Sequence, residues 1–205
     1  MPLFSTGEYA LMNGLTGQFV RFCDGKYPMT TDPDASADAV HTVVIHKEYV
    51  AGARDRFAIL AGNGPWTMYA RDKGDGAEVE IHHLQEGPKY APTEQWILAE
   101  MGTGQLEYVA SPVITSVTSI FSGTAWSHDH RRNFYRIQNL VMETSLGIKL
   151  YDDSTAAVVC NIAPPGVGDR SYYWRLIPIP LVWTTKEVYD QLYDMQRRFR
   201  AGQTV

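Results

Sequence analysis

The chain reads as an all-β protein built from three copies of one strand-rich unit, and three observations predict this. An aromatic residue precedes a tryptophan by the same distance twice: Phe57 lies 39 positions before Trp96, and Tyr135 lies 39 before Trp174. The opening occurs a third time at the start of the chain, as Glu8-Tyr9-Ala10-Leu11-Met12-Asn13. An acidic turn then follows each opening: Asp24 is 15 positions after Tyr9, Asp72 is 15 after Phe57, and Asp152 is 17 after Tyr135. Units of this kind, repeated at roughly 40–50 residues, indicate an array or a closed repeat fold.

Unit one covers about residues 7–54. Tyr9, Leu11 and Asn13 alternate with Ala10 and Met12 as a first strand, Thr16-Gly17 turns, and Phe19 to Phe22 forms a second. Asp24-Gly25 closes that arm with a pair suited to positive φ. Pro28 to Asp38 reads as a polar loop, and Val43-Val44-Ile45 as a short buried strand. No tryptophan ends this unit, so its closing strand departs from the other two.

Unit two covers about 55–102. Phe57 and Ile59 open it, Asn63-Gly64 turns, and Trp66, Met68 and Ala70 share one face of a strand at period two. Glu78 to His82 alternates as a half-exposed strand, and Gln95-Trp96-Ile97-Leu98 closes the unit. Unit three, about 133–180, repeats the order with Tyr135 and Ile137, Ile148 and Leu150, Ala156 to Ile162, and Tyr173-Trp174-Arg175-Leu176.

Two segments fall outside the repeat. The step from Phe57 to Tyr135 is 78 positions against 48 from Tyr9 to Phe57, an excess of 30 that places an insertion at 103–132. Its Leu106 to Phe121 stretch, rich in Val, Ile, Thr and Ser, favours an inserted hairpin. Residues 182–205 follow the single domain expected over 1–181 and read as a helix. Thr184 and Glu187 have capping-box spacing, Val188, Leu192, Met195 and Phe199 form one apolar stripe, and Arg197, Arg198 and Arg200 sit where cations oppose the helix dipole. The stripe suits packing on a barrel face; a partner-binding or homodimer helix is the alternative.

At 205 residues with 44% hydrophobic content, the chain can build one full core. A net charge of −5 argues against general nucleic-acid binding. No membrane span and no secretory leader pattern is visible. The two cysteines, Cys23 and Cys160, have no metal or redox spacing and suit free thiols in a reducing compartment. A cytoplasmic protein is the simplest expectation.

Three units of strand, hairpin, strand and tryptophan-bearing close resemble the β-trefoil fold, in particular ricin-B-like lectins of the fungal type. The resemblance rests on Gly7 to Gly17, Phe22-Cys23-Asp24-Gly25, Gln95 to Leu98 and Tyr173 to Leu176, and covers about 145 of the 205 residues. It implies that the tryptophans plug a pseudo-threefold core. It also implies a sugar-gripping aspartate late in each second strand, where a carboxylate accepts two hydroxyls beside an aromatic platform. Counting back three from each turn aspartate gives Arg21, Tyr69 and Lys149 at that place, none of them acidic. The implied ligand is therefore other than simple galactose. The turn aspartates themselves suit capping of the turn backbone.

The function expected is carbohydrate binding without catalysis, with a glycan or glycoprotein as partner. Trp66, Tyr69, Asp72 and Tyr90 are the expected ligand residues, because aromatic and carboxylate groups lie closest together there. A weaker similarity, to mycocypin-like trefoil protease inhibitors, gives the alternative of a protease partner met by an exposed loop. The candidate loops are Pro28 to Asp38, Glu86 to Thr93 and Asn161 to Ser171, the last stiffened by Pro164-Pro165. No hydrolase, P-loop or dinucleotide motif is present, so no enzyme activity and no cofactor is expected. His128 and His130 could share a strand face, but no third ligand accompanies them and Arg131-Arg132 oppose a cation. No metal site is expected. Trp126 is a further candidate platform.

Overall fold

Period-two alternation turns each unit into four strands, and these pair by symmetry-related rules. The structure, a computed structural model, describes residues 6–22, 27–33, 43–48, 56–61, 66–71, 77–83, 90–100, 134–142, 144–150, 156–161 and 170–203. Unit one supplies β1 (Gly7–Asn13), β2 (Phe19–Phe22), β3 (Pro28–Thr31) and β4 (Val43–Glu48). Unit two supplies β5 (Arg56–Ala61), β6 (Trp66–Ala70), β7 (Ala77–His83) and β8 (Trp96–Glu100). Unit three supplies β9 (Phe134–Asn139), β10 (Ser145–Leu150), β11 (Ala156–Asn161) and β12 (Trp174–Pro178), and helix α1 (Thr185–Arg200) follows. The inserted hairpin expected at 103–132 lies outside the described residues, as do Asp24, Asp72, Asp152, Cys23, Trp126, His128 and His130.

First and fourth strands form a closed six-stranded antiparallel barrel in the order β1, β12, β9, β8, β5, β4 and back to β1. Closure leaves those strands no free edge. The middle strands make three hairpins, β2–β3, β6–β7 and β10–β11, joined through β3–β11 and β7–β11. Trp96 and Trp174 are fully buried. Each indole Nε1–H donates to a carbonyl 28 positions back, Trp96 to Met68 at 3.2 Å and Trp174 to Leu146 at 2.9 Å. Trp96 faces Phe57 across the barrel ladder, Trp174 faces Tyr135, and in unit one the partner of Tyr9 is Val43. Val43 therefore holds the tryptophan's place.

One local expectation is corrected. Pro28–Thr31, read as loop, is β3 and pairs along β2 from Phe22↔Pro28 to Phe19↔Thr31. Proline is acceptable as the first residue of a strand. The polar Thr30 is buried, but its hydroxyl donates to Gln18 Oε1 at 3.1 Å, so its burial leaves no unmet hydrogen bond there. The first part of one loop proposed for protease contact is thereby committed to the sheet.

Helix α1 covers a second apolar cluster outside the barrel, formed by Ala10, Met12, Phe19, Phe134, Tyr173, Ile177 and Ile179 with Val188 and Leu192. Met195 and Phe199 pack on it, as the stripe required. Thr184 and Glu187 make the reciprocal capping box, and Trp183 joins Val188 in the cluster as a hydrophobic staple. The other end closes with Gly202 at φ 68° and the bonds Gln203 N to Arg198 O (2.9 Å) and Gly202 N to Phe199 O (3.0 Å), a Schellman motif. Among the described residues no helix is long and apolar enough to cross a membrane.

The helix is also tied to β3's end by charge. Arg200 grips Asp32 with two bonds, Nη1 to Oδ2 at 3.0 Å and Nη2 to Oδ1 at 2.8 Å, and buried Gln196 donates to Oδ1 at 3.0 Å. Burial alone would raise the Asp32 pKa; Arg200, Gln196 and Gln18 together hold it below its ordinary value of 3.8. A carboxyl with a lowered folded pKa stabilises above its unfolded value and loses that contribution as pH falls through the folded one. The helix attachment is thus expected to be at full strength at neutral pH and to loosen in the acid range below about 4. Far-UV circular dichroism across that range, compared with Asp32→Asn, checks this; the variant should lose the acid-dependent step.

Candidate functional site

Register divides the side chains of the β6–β7 hairpin between two faces. Trp66 pairs with His83, Thr67 with His82, Met68 with Ile81, Tyr69 with Glu80 and Ala70 with Val79. Alternate residues point to opposite faces, so Tyr69, Glu80 and His82 share one face with Thr67. Met68, Ala70, Val79 and Ile81 turn to the core, and Trp66 and His83 continue that face outward.

On the first face the Tyr69 and His82 rings stack, with centroids 4.4 Å apart and planes at 28°. The Tyr69 hydroxyl donates to Glu80 Oε2, and Arg71 Nη1 donates to Glu80 Oε1 at 2.7 Å. His82 Nε2 is hydrogen-bonded to Glu94 Oε1, while Glu94 Oε2 accepts from the Ala91 N–H at 2.5 Å and so caps the 3-10 turn Pro92–Glu94. Both carboxylates are largely covered, with side-chain exposures of 14% for Glu80 and 5% for Glu94. Glu80 is thus held by Tyr69 and Arg71 and is not a free solvated carboxylate. Burial, then the bond to Glu80, pushes the Tyr69 phenol up to about 12, so it stays a hydroxyl donor through the neutral range.

Of the four expected ligand residues, Trp66 and Tyr69 lie on opposite faces of the hairpin. Tyr69 lies at the centre of the patch just described. Trp66 is on the opposite face, 44% exposed, with its ring edge-on to His83 at 5.4 Å and 80°. Tyr90 bonds His46 Nδ1 through its hydroxyl at 2.9 Å, and its carbonyl accepts from Gln95 Nε2 at 2.9 Å. Asp72 lies outside the described residues. Glu80, His82 and Glu94 complete the patch in their stead. Glu80 and His82 were readable, since both stand at even spacing on a strand opposite Tyr69. Glu94 reaches the patch only through the tertiary fold.

The indole bonds identify the equivalent place in unit three. Tyr69 follows Met68, whose carbonyl takes the Trp96 bond; Gly147 follows Leu146, whose carbonyl takes the Trp174 bond. Gly147, not Lys149, is therefore the counterpart of Tyr69, and the two-residue excess before Asp152 falls beyond it. A Cβ on Gly147 would run into the Tyr172 ring. Tyr172 stands two before its tryptophan, as Glu94 does. In unit three the ring covering the strand comes from the 3-10 turn Arg170–Tyr172; in unit two it comes from the strand, and the turn supplies a carboxylate. Only unit two, among the described residues, combines ring and acid in this way. No group of three or more metal-ligating side chains occurs among the described residues.

No sequence family model and no curated protein matches the chain. Solved structures do. A designed threefold symmetric protein, ThreeFoil, aligns over 84% of this chain and 99% of its own with TM-score 0.52 and 11% identity. The fold is a β-trefoil. SeviL, solved with an asialo-GM1 saccharide, aligns over 86% of this chain and all of its own at TM-score 0.51 and 16% identity. The Polyporus squamosus lectin, solved with a Neu5Ac-terminated epitope, aligns over 84% of this chain and 49% of its own at 0.52 and 11%. Proteins with no sugar in their names match as well. Likeness at these identities shows the fold alone, and only site chemistry can distinguish among the functions a fold carries.

Proposed function

We propose that this trefoil is a lectin-like carbohydrate-binding protein without catalytic activity, and that its ligand sits on the Tyr69 face of unit two. The observation that carries the reading is the stacked Tyr69–His82 pair framed by Glu80 and Glu94. Aromatic surface covers the apolar face of a sugar ring, and carboxylates already fixed by partners accept its hydroxyls through their remaining lone pairs. The groups are held by strand register and by a capped turn, which limits the ordering cost of binding. A β-trefoil frame shared with lectins supports the reading coarsely.

A broad glycan array of the full chain is the test. A coherent set of bound sugars supports the proposal; a blank array with folded protein overturns it. Against the best sugar, Tyr69→Ala is expected to weaken binding tenfold or more, about 1.4 kcal/mol. Trp66→Ala, on the opposite face, is expected to change it less than about twofold, roughly 0.4 kcal/mol on the same scale. The reverse order would place the ligand on the Trp66 face.

A further inference from the structure

We infer that the unit-two patch selects saccharides by charge, accepting neutral sugars and rejecting those with a carboxylate at the contacted residue. The inference rests on the carbohydrate-binding reading and names Glu80 and Glu94 as the residues that set specificity. Two acids lie in one small patch, each largely screened from water. The guanidinium of Arg71 is already paired with Glu80, and the His82 ring is hydrogen-bonded to Glu94. An incoming anion would be desolvated beside two carboxylates, and the Arg71 charge that could meet it is already balanced by Glu80. A neutral sugar meets the opposite situation: its hydroxyls donate, and the carboxylate oxygens accept. Tyr69 cannot reverse this, because its proton is committed to Glu80. The positions in unit three that match Glu80 and Glu94 are Val159 and Tyr172, which carry no charge, so unit three lacks this filter.

The same chemistry predicts how the filter is removed. Glu80→Gln keeps an oxygen to accept the Tyr69 hydroxyl but takes away the charge that occupies Arg71. The freed guanidinium then becomes a site for an anion.

Paired probes test this. Titration calorimetry of the full chain would compare methyl galactoside with methyl galacturonide, methyl glucoside with methyl glucuronide, and one array-selected neutral glycan with its sialylated form. The uronides differ from the hexosides by charge with little added bulk. Expected is a tenfold or greater weakening for the anionic member at low salt, shrinking as salt screens the charges. Glu80→Gln should bring the pair within about threefold, less than 1 kcal/mol. Equal affinity of neutral and anionic members overturns the inference and leaves the carbohydrate reading standing. No binding of any neutral or anionic probe, array sugars included, overturns both. Should Glu80→Gln not fold, the gap and its salt dependence in the unaltered chain decide.

Discussion

Trp174→Ala is expected to destabilise the protein by about 3–5 kcal/mol, the range for truncating a large aromatic in a packed core. The ring is fully buried and pairs on its two sides with Tyr135 of β9 and Asn13 of β1, so it stands where units three and one meet. Removing it opens a cavity at that junction. It also strips the Leu146 carbonyl of its 2.9 Å partner, and an orphaned buried acceptor costs about 1–3 kcal/mol. Trp174→Phe weights the two effects differently, because it loses the N–H but keeps most of the buried volume. Its expected cost is the smaller, about 1–3 kcal/mol. Urea unfolding with an unchanged m-value is the measurement. An alanine variant within about 1 kcal/mol of the parent would mean that the ring is not part of the core.

The pseudo-threefold frame was legible because the repeat is a packing rule. A ring opening each unit meets an indole closing it, and the shared 28-position step from carbonyl to indole in units two and three follows from that geometry. Unit one concealed its close for a physical reason. Val43 occupies the indole's place 34 positions after Tyr9, and its neighbour across the ladder is Ala61, where the other two closes face Asn13 and Asn139. Those asparagines do work that Ala61 cannot. Each accepts two backbone N–H groups of its own turn and donates to the main chain before the facing tryptophan, Asn13 to Ser171 O at 2.9 Å and Asn139 to Thr93 O at 2.8 Å. Tryptophan and asparagine are thus both missing at one junction, and a spacing search for either fails there.

The candidate site was half legible. Tyr69 stood out as an aromatic at the place where the resemblance implied an acid, but sequence proximity drew Trp66 and Tyr90 in with it. Strand geometry separates them: three positions along a strand is an odd step, which sends Trp66 and Tyr69 to opposite faces. Period-two counting was enough to join Tyr69 to Glu80 and His82. The identity of the third member was not available that way, since Glu94 arrives from a turn whose position the barrel sets. Lys149 was misplaced for a related reason, because counting from the turn aspartate carries the length of the turn into the strand.

Gly17→Ala is expected to cost about 2–5 kcal/mol, from two separable sources. Gly17 sits at φ 69°, in the left-handed region where a Cβ costs about 1–2 kcal/mol. That same Cβ would lie 2.6 Å from Cδ1 of Phe199, on the buried face of α1. The ring must then move, and crowding of this kind costs about 1–3 kcal/mol. The Gly17 carbonyl adds a third link, since it accepts from Gln196 Nε2 at 3.2 Å, so a shift of this turn also strains the helix contact. Phe199→Ala removes the ring and with it the crowding, while the backbone penalty stays. A double-mutant cycle with Gly17→Ala should therefore recover about 1–3 kcal/mol of coupling, read from urea midpoints. Full recovery would mean that φ contributes nothing. No recovery would mean that α1 does not rest on this turn, and the helix would then have to be placed elsewhere on the barrel.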